Sequence, residues 1–141
     1  MVGVLLDTCV LSELQRPQGS AAVRAQVEEL DPERLYLSVI TLGELVKGIA
    51  LLAPGARRQG LERWLLGLEQ RYSEHLLGID PEVSRLWGEM TAHAQRDGII
   101  IPATDGLIAA TALRHGLYLM TRNTKQFAAT GVSLIDPWVV S

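Results

Sequence analysis

Three carboxylates and one carboxamide, Asp7, Glu44, Asp105 and Asn123, stand where extended runs of this sequence give way to helical ones. Asp7 closes the run Val2–Leu6, and Glu44 lies in TLGEL at the start of the helical segment after Leu35–Val39 (LYLSV). Asp105 follows the extended stretch Gly98–Ala103 and opens an apolar helix, and Asn123 lies just past Leu117–Thr121 (LYLMT). In an open α/β sheet, functional groups collect beyond the carboxyl ends of the strands, so residues this far apart in sequence can converge on one pocket. Clustered carboxylates raise one another's pKa unless a cation offsets their charge. Oxygen-only ligands favour a hard cation, Mg²⁺ or Mn²⁺, over zinc. The chemistry suggested is a divalent-metal site built from Asp7, Glu44 and Asp105. Singly, each residue has a capping alternative. Thr41-x-x-Glu44 reads as a capping box, Asp7 and Asn123 suit N-cap positions, and Asp105 in a first turn suits the helix dipole. Capping does not explain why each of these junctions avoids serine.

The elements that must position these groups are legible as period. Val2–Leu6, Leu35–Val39, Leu117–Thr121 and Val132–Ile135 read as strands, with His75–Ile79 a weaker fifth. Helical stripes run through Val23, Val27 and Leu30, and through Leu42, Leu45, Val46 and Ile49. Two more run from Leu61 to Tyr72 and from Val83 to Ala94. Leu107–Leu113 (LIAATAL) is apolar nearly all round, which predicts a centrally packed helix, and Pro54-Gly55 separates two others. Alternation of short strands with helices predicts an α/β fold with a small, mainly parallel sheet flanked by helices.

The 141 residues read as one domain, with no repeat, linker or low-complexity tract. No segment approaches the about 20 apolar residues of a membrane span. Asp7 interrupts the N-terminal run with no basic region before it, unlike a secretory leader. One cysteine, Cys9, leaves no internal disulfide and fits a cytoplasmic protein. A formal net charge of −3 argues against gripping nucleic acid by bulk positive charge. It leaves room for a nuclease whose positive charge is local.

The blocks DTCVLSEL (Asp7–Leu14), SVITLGEL (Ser38–Leu45), DGLIAATAL (Asp105–Leu113), TRNTKQF (Thr121–Phe127) and IDPW (Ile135–Trp138) resemble, in order, the PIN-domain ribonucleases. More closely, they resemble the VapC-type toxins of toxin–antitoxin pairs that end in an NPW or DPW turn. That resemblance implies a small parallel sheet wrapped by helices, Mg²⁺ (or Mn²⁺) in an acidic pocket, and metal-dependent cleavage of RNA. It further implies an antitoxin whose C-terminal segment covers the pocket, and a homodimer. It assigns Asp7, Glu44 and Asp105 to the metal pocket, with Asp7 and Asp105 as direct ligands. Glu44 would act through water or orient the attacking water; Asn123 would orient a water or bind a phosphate, but cannot be a base. Two departures stand out. Cys9 replaces a frequent Asn and reads as a small buried residue without an activated thiol. The family's fourth acid falls at Asn123 or Gln126, both neutral here, so one tightly held ion is expected rather than two.

Around the acids, Thr8 and Thr121 are placed to hydrogen-bond carboxylates, although Thr8 equally suits a helix start. Arg122 and Lys125 read either as phosphate contacts or as solvated surface charge. Trp64, Trp87 and Trp138 read as packing residues, and the dispersed His75, His93 and His115 lack metal-ligand spacing. A PIN-fold binding module without catalysis is the alternative function. A receiver domain lacks its paired acid and lysine, and a DxD phosphatase lacks its second acid.

Overall fold

The computed structural model describes residues 2–139. Five strands, β1 (Val4–Leu6), β2 (Leu35–Ser38), β3 (Leu76–Leu77), β4 (Tyr118–Met120) and β5 (Leu134–Ile135), form one sheet ordered β3-β2-β1-β4-β5. Every adjacent pair is parallel. Among the described residues, seven α-helices connect and cover them: α1 (Thr8–Gln15), α2 (Ala21–Glu28), α3 (Val39–Ala50), α4 (Ala56–Arg71), α5 (Pro81–Arg96), α6 (Ala103–His115) and α7 (Thr124–Phe127). None of the described helices is long and apolar enough to cross a membrane.

Strand alternation divides the core in two. Val4 and Leu6 of β1, Leu35 and Leu37 of β2 and Met120 of β4 pack with Val10, Val23, Leu45 and Leu65 from α1 to α4. Leu5, Tyr36 and Leu119, one residue out of phase, pack on the other face with Ile108, Ala109 and Ala112 of α6 and with Phe127. This period of two on a sheet covered on both sides explains why β1 is apolar at every position. The expected central helix is α6, where Ile108, Ala109, Ala110 and Ala112 are fully buried. At its first turns α5 comes close: a Cβ on Gly106 would stand 2.9 Å from Trp87 Cδ1 and Nε1.

The strands are shorter than the apolar runs, because capping residues turn the chain into helix early. Ser38 Oγ accepts from the Ile40 N–H at 3.0 Å, so Val39 is the first residue of α3 rather than the last of a strand. Val46, expected in the buried stripe of α3, is exposed; Thr41, Leu45 and Ile49, each four apart, form the buried line instead. The stretch 98–103 joins no sheet. Gly98 ends α5 at φ +80°, the chain runs unpaired past exposed Ile100, and Ala103 already belongs to α6. Asp105 therefore reaches the strand ends on a helix packed against the sheet, not at the end of a strand.

Candidate active site

The strand order reverses between β1 and β4: the chain builds outward from β1 through β2 to β3, then returns to the other side of β1. Such a switch point opens a crevice at the carboxyl ends, since the two connections leave in opposite directions. Asp7 follows β1 there and Thr121 follows β4. The Asp7 N–H donates to Met120 O at 3.0 Å, which ties the two strand ends together.

Asp7 is buried and N-caps α1, accepting from the Thr8 N–H at 2.8 Å through Oδ1. Its Oδ2 accepts from the Thr121 hydroxyl at 2.8 Å, with the Cys9 thiol at 3.7 Å. Capping and site membership thus coincide at Asp7. Glu44 behaves differently. It sits in the second turn of α3, and its Oε1 accepts from the Thr8 hydroxyl at 2.6 Å, across 36 residues of chain. The capping box is absent: Ser38 caps α3, and the buried Thr41 hydroxyl has no partner. Asp105 lies in the first turn of α6, half-buried.

The electrostatics tie the three acids together. Burial pushes the Asp7 carboxyl above the usual carboxylate range, against the hydrogen bonds from Thr121, Thr8 and Cys9 that pull it down. Asp105 is also raised, first by burial and then by the negative charges of Asp7 and Glu44. The hydrogen-bond donors that reach Asp7 and Glu44 are neutral, and neither acid is in an ion pair with Lys, Arg or His among the described residues. Among those residues, no three His, Cys, Asp or Glu side chains close into a ready-made metal cage. An oxygen-only set with unshared negative charge fits a hard divalent cation, above all Mg²⁺, which retains several waters and needs only one or two carboxylates. A groove of about 540 Å³ opens beside Glu44, lined by Ile40, Gly43, Lys47, Leu51 and Thr104 among others.

Asn123 is brought near through its backbone: its N–H donates to Thr121 Oγ1 at 3.0 Å. It stands at the N-cap of α7, but its side chain caps nothing and is exposed. Lys125 and Gln126 are exposed in the same turn, and Arg122 is exposed one residue before it. Cys9 departs from its expected burial. It is half-buried and borders the site, with Sγ 3.6 Å from Thr121 Oγ1 and accepting from the Arg122 N–H at 3.5 Å. Burial leads the effects that raise its pKa, so the thiol stays protonated rather than activated. Trp138 packs on the core as its sequence context suggests, and the Arg122 guanidinium lies over its ring, 5.2 Å from the centroid. Only the pairing of β4 with β5 brings TRN and DPW together, a neighbourhood that neither motif encodes by itself.

Residues 4–132 match the PIN domain family. The chain belongs to the PIN-domain family. This PIN domain is 38% identical over 136 residues to the VapC ribonuclease Y4jK of Sinorhizobium fredii, covering 96% of this chain and 97% of that protein. It is 39% identical over 136 residues to toxin FitB of Neisseria gonorrhoeae, covering 96% of this chain and 98% of FitB. The crystal structure of FitAcB from that organism superposes with a TM-score of 0.92 at 38% identity, over 97% of this chain and 99% of that one. DNA-bound VapBC from Salmonella typhimurium gives 0.80 at 25% identity, over 97% and 99%. The VapC-type resemblance carried by the five motifs thus extends over nearly the whole length of the protein.

Proposed function

We propose that this PIN-domain protein is a Mg²⁺-dependent endoribonuclease, the toxin of a toxin–antitoxin pair, held inactive by a cognate antitoxin. The observation that carries the reading is Asp7 at the β1/β4 switch point: a buried carboxylate held by neutral donors and felt, with Glu44, by Asp105. Relatives named as VapC ribonuclease and toxin FitB, and neighbours named as FitAB and VapBC complexes, support it.

In this reading Asp7 and Asp105 would hold the cation, and Glu44 would support it through water or orient the attacking water. Bound Mg²⁺ supplies a more acidic water and offsets negative charge gathering on the phosphodiester. Thr121 holds the rotamer of Asp7 by donating to Oδ2. Thr8 does the same for Glu44 while its N–H holds Asp7 Oδ1, so one residue aligns two acids. Such fixed donors keep the carboxylates in place before substrate arrives, which is the preorganisation an electrostatic site needs. Asn123 contributes a neutral donor and acceptor at the rim, and Lys125 a point charge for a phosphate. Neutral Asn123 and Gln126 favour one tightly held ion. Two high-affinity sites in a Mn²⁺ calorimetric titration would overturn that count.

The deciding experiment incubates purified, antitoxin-free protein with total RNA and Mg²⁺ or Mn²⁺, beside EDTA and Asp7→Asn controls. Discrete cuts that need both metal and Asp7 are expected. Folded protein that cuts nothing would instead favour a binding module. The exposed, neutral Asn123 and Gln126 make Asn123→Asp the next variant in that case.

A further inference from the structure

Arg122 leaves the chain directly after Thr121, the residue that holds Asp7, and its side chain pairs with no carboxylate among the described residues. It lies instead over the Trp138 ring. The turn that carries the indole is itself anchored. The Trp138 backbone N–H donates to Asp136 Oδ1 at 2.9 Å, Gln26 Nε2 donates to Pro137 O at 3.1 Å, and Trp138 packs against the β1–β2 core face. The root of Arg122 is anchored as well, by its N–H on Cys9 Sγ.

An arginine oriented by a carboxylate has its charge answered and its N–H fork occupied. One oriented by an aromatic face keeps both, because the ring engages the flat face of the guanidinium and leaves the donors at its edge. Arg122 is therefore a positive fork held over Trp138, one residue beyond the hydroxyl that holds Asp7. A planar fork matches the paired oxygens of a phosphate, and the net charge of −3 makes a local, aimed cation matter for an anionic strand. We infer that Arg122 and Trp138 form a pre-oriented clamp for an RNA phosphate flanking the one cut at Asp7, and that the C-terminal DPW turn serves to aim Arg122. Trp138 is the positioning residue and Arg122 the contact. The inference rests on the ribonuclease reading above.

Asp7→Asn protein, which should bind without cutting, supplies the background for the test. Its affinity for a short mixed-sequence single-stranded RNA is titrated against KCl, alone and with Arg122→Gln, Arg122→Lys, Trp138→Phe or Trp138→Leu added. Arg122→Gln should weaken binding about tenfold and reduce the salt slope by about 0.7, one phosphate's share for a single strand. Arg122→Lys should restore the slope but not the affinity, since charge returns without the planar fork. Trp138→Phe should bind nearly as the background protein does, and Trp138→Leu should lose affinity at unchanged slope. A background-like Arg122→Gln or Arg122→Lys would overturn the clamp, and so would a folded, background-like Trp138→Leu. If Trp138→Leu does not fold, the two variants at exposed Arg122 carry the test. The cleavage assay separates the two readings. Loss of cutting by the unmodified protein sinks the nuclease, whereas intact cutting with a background-like Arg122→Gln sinks only the clamp.

Discussion

The two ends of the sheet treat their polar groups in opposite ways. At the amino ends of the strands charges and carbonyls find partners. His75 Nδ1 donates to Leu35 O at 2.7 Å, its Nε2 lies 3.7 Å from Glu33, and its ring stacks on Tyr36 at 4.5 Å. Arg34 Nε donates to Val2 O at 2.7 Å. At the carboxyl ends Asp7, Glu44 and Asp105 share one sign, and hydroxyls, a thiol and backbone N–H groups are what Asp7 and Glu44 receive. A fold selected only for stability would answer those acids with a lysine or arginine, as it answers polar groups at the other end. Unanswered negative charge at the strand ends is what the proposed cation would neutralise.

The sharpest way to break this contrast is Asp7→Asn. Removing several kcal/mol of cation and phosphate stabilisation should lower metal-dependent cleavage of RNA by roughly a thousandfold or more. The metal-free variant should melt no lower than the parent, because a buried carboxylate has become a neutral isostere. A marked fall in its melting temperature would make Asp7 a structural residue like His75. Next in size are changes to the supports. Thr121→Val removes the hydroxyl shared by Asp7 Oδ2 and the Asn123 N–H and should cost about 1–3 kcal/mol in urea unfolding. Gly106→Ala forces a methyl to within 2.9 Å of Trp87 and should cost a similar ~1–3 kcal/mol, with a loss of Mn²⁺ affinity as Asp105 shifts.

The contrast also has a pH signature. Asp7 and Asp105 titrate above the ordinary carboxylate range, so in the window between that range and their raised values the folded state holds more protons than the unfolded chain. Metal-free stability should therefore fall as pH rises through that window. The melting-temperature gain from added Mg²⁺ should grow over the same window; a gain independent of pH would detach these acids from the metal. The smallest effect is expected at the paired end. Glu33→Gln, on an exposed carboxylate, should change unfolding stability by less than about 1 kcal/mol and leave cleavage unaltered.

The sequence alone determined the local layers. Period two at Val4–Leu6 and Leu35–Leu37, and the wholly apolar turns of Leu107–Leu113, follow from which side chains must leave water. The identity of the acids at Asp7, Glu44 and Asp105 was legible for the same local reason, since a charge interrupting an apolar run is visible without a fold. Tertiary structure decided what those acids do with one another. Thr8 meets Glu44 across 36 residues and Thr121 meets Asp7 across 114, contacts set by the placement of β4 beside β1. Strand order is a global choice among packings that local pattern leaves equivalent, and so the Thr41–Glu44 spacing suggested a cap that the fold does not form. The same choice laid Arg122 over Trp138, because β5 pairs with β4 and returns the last turn to the rim of the site. Composition wrote the charges into the chain; the reversal of the sheet at β1 brought them together.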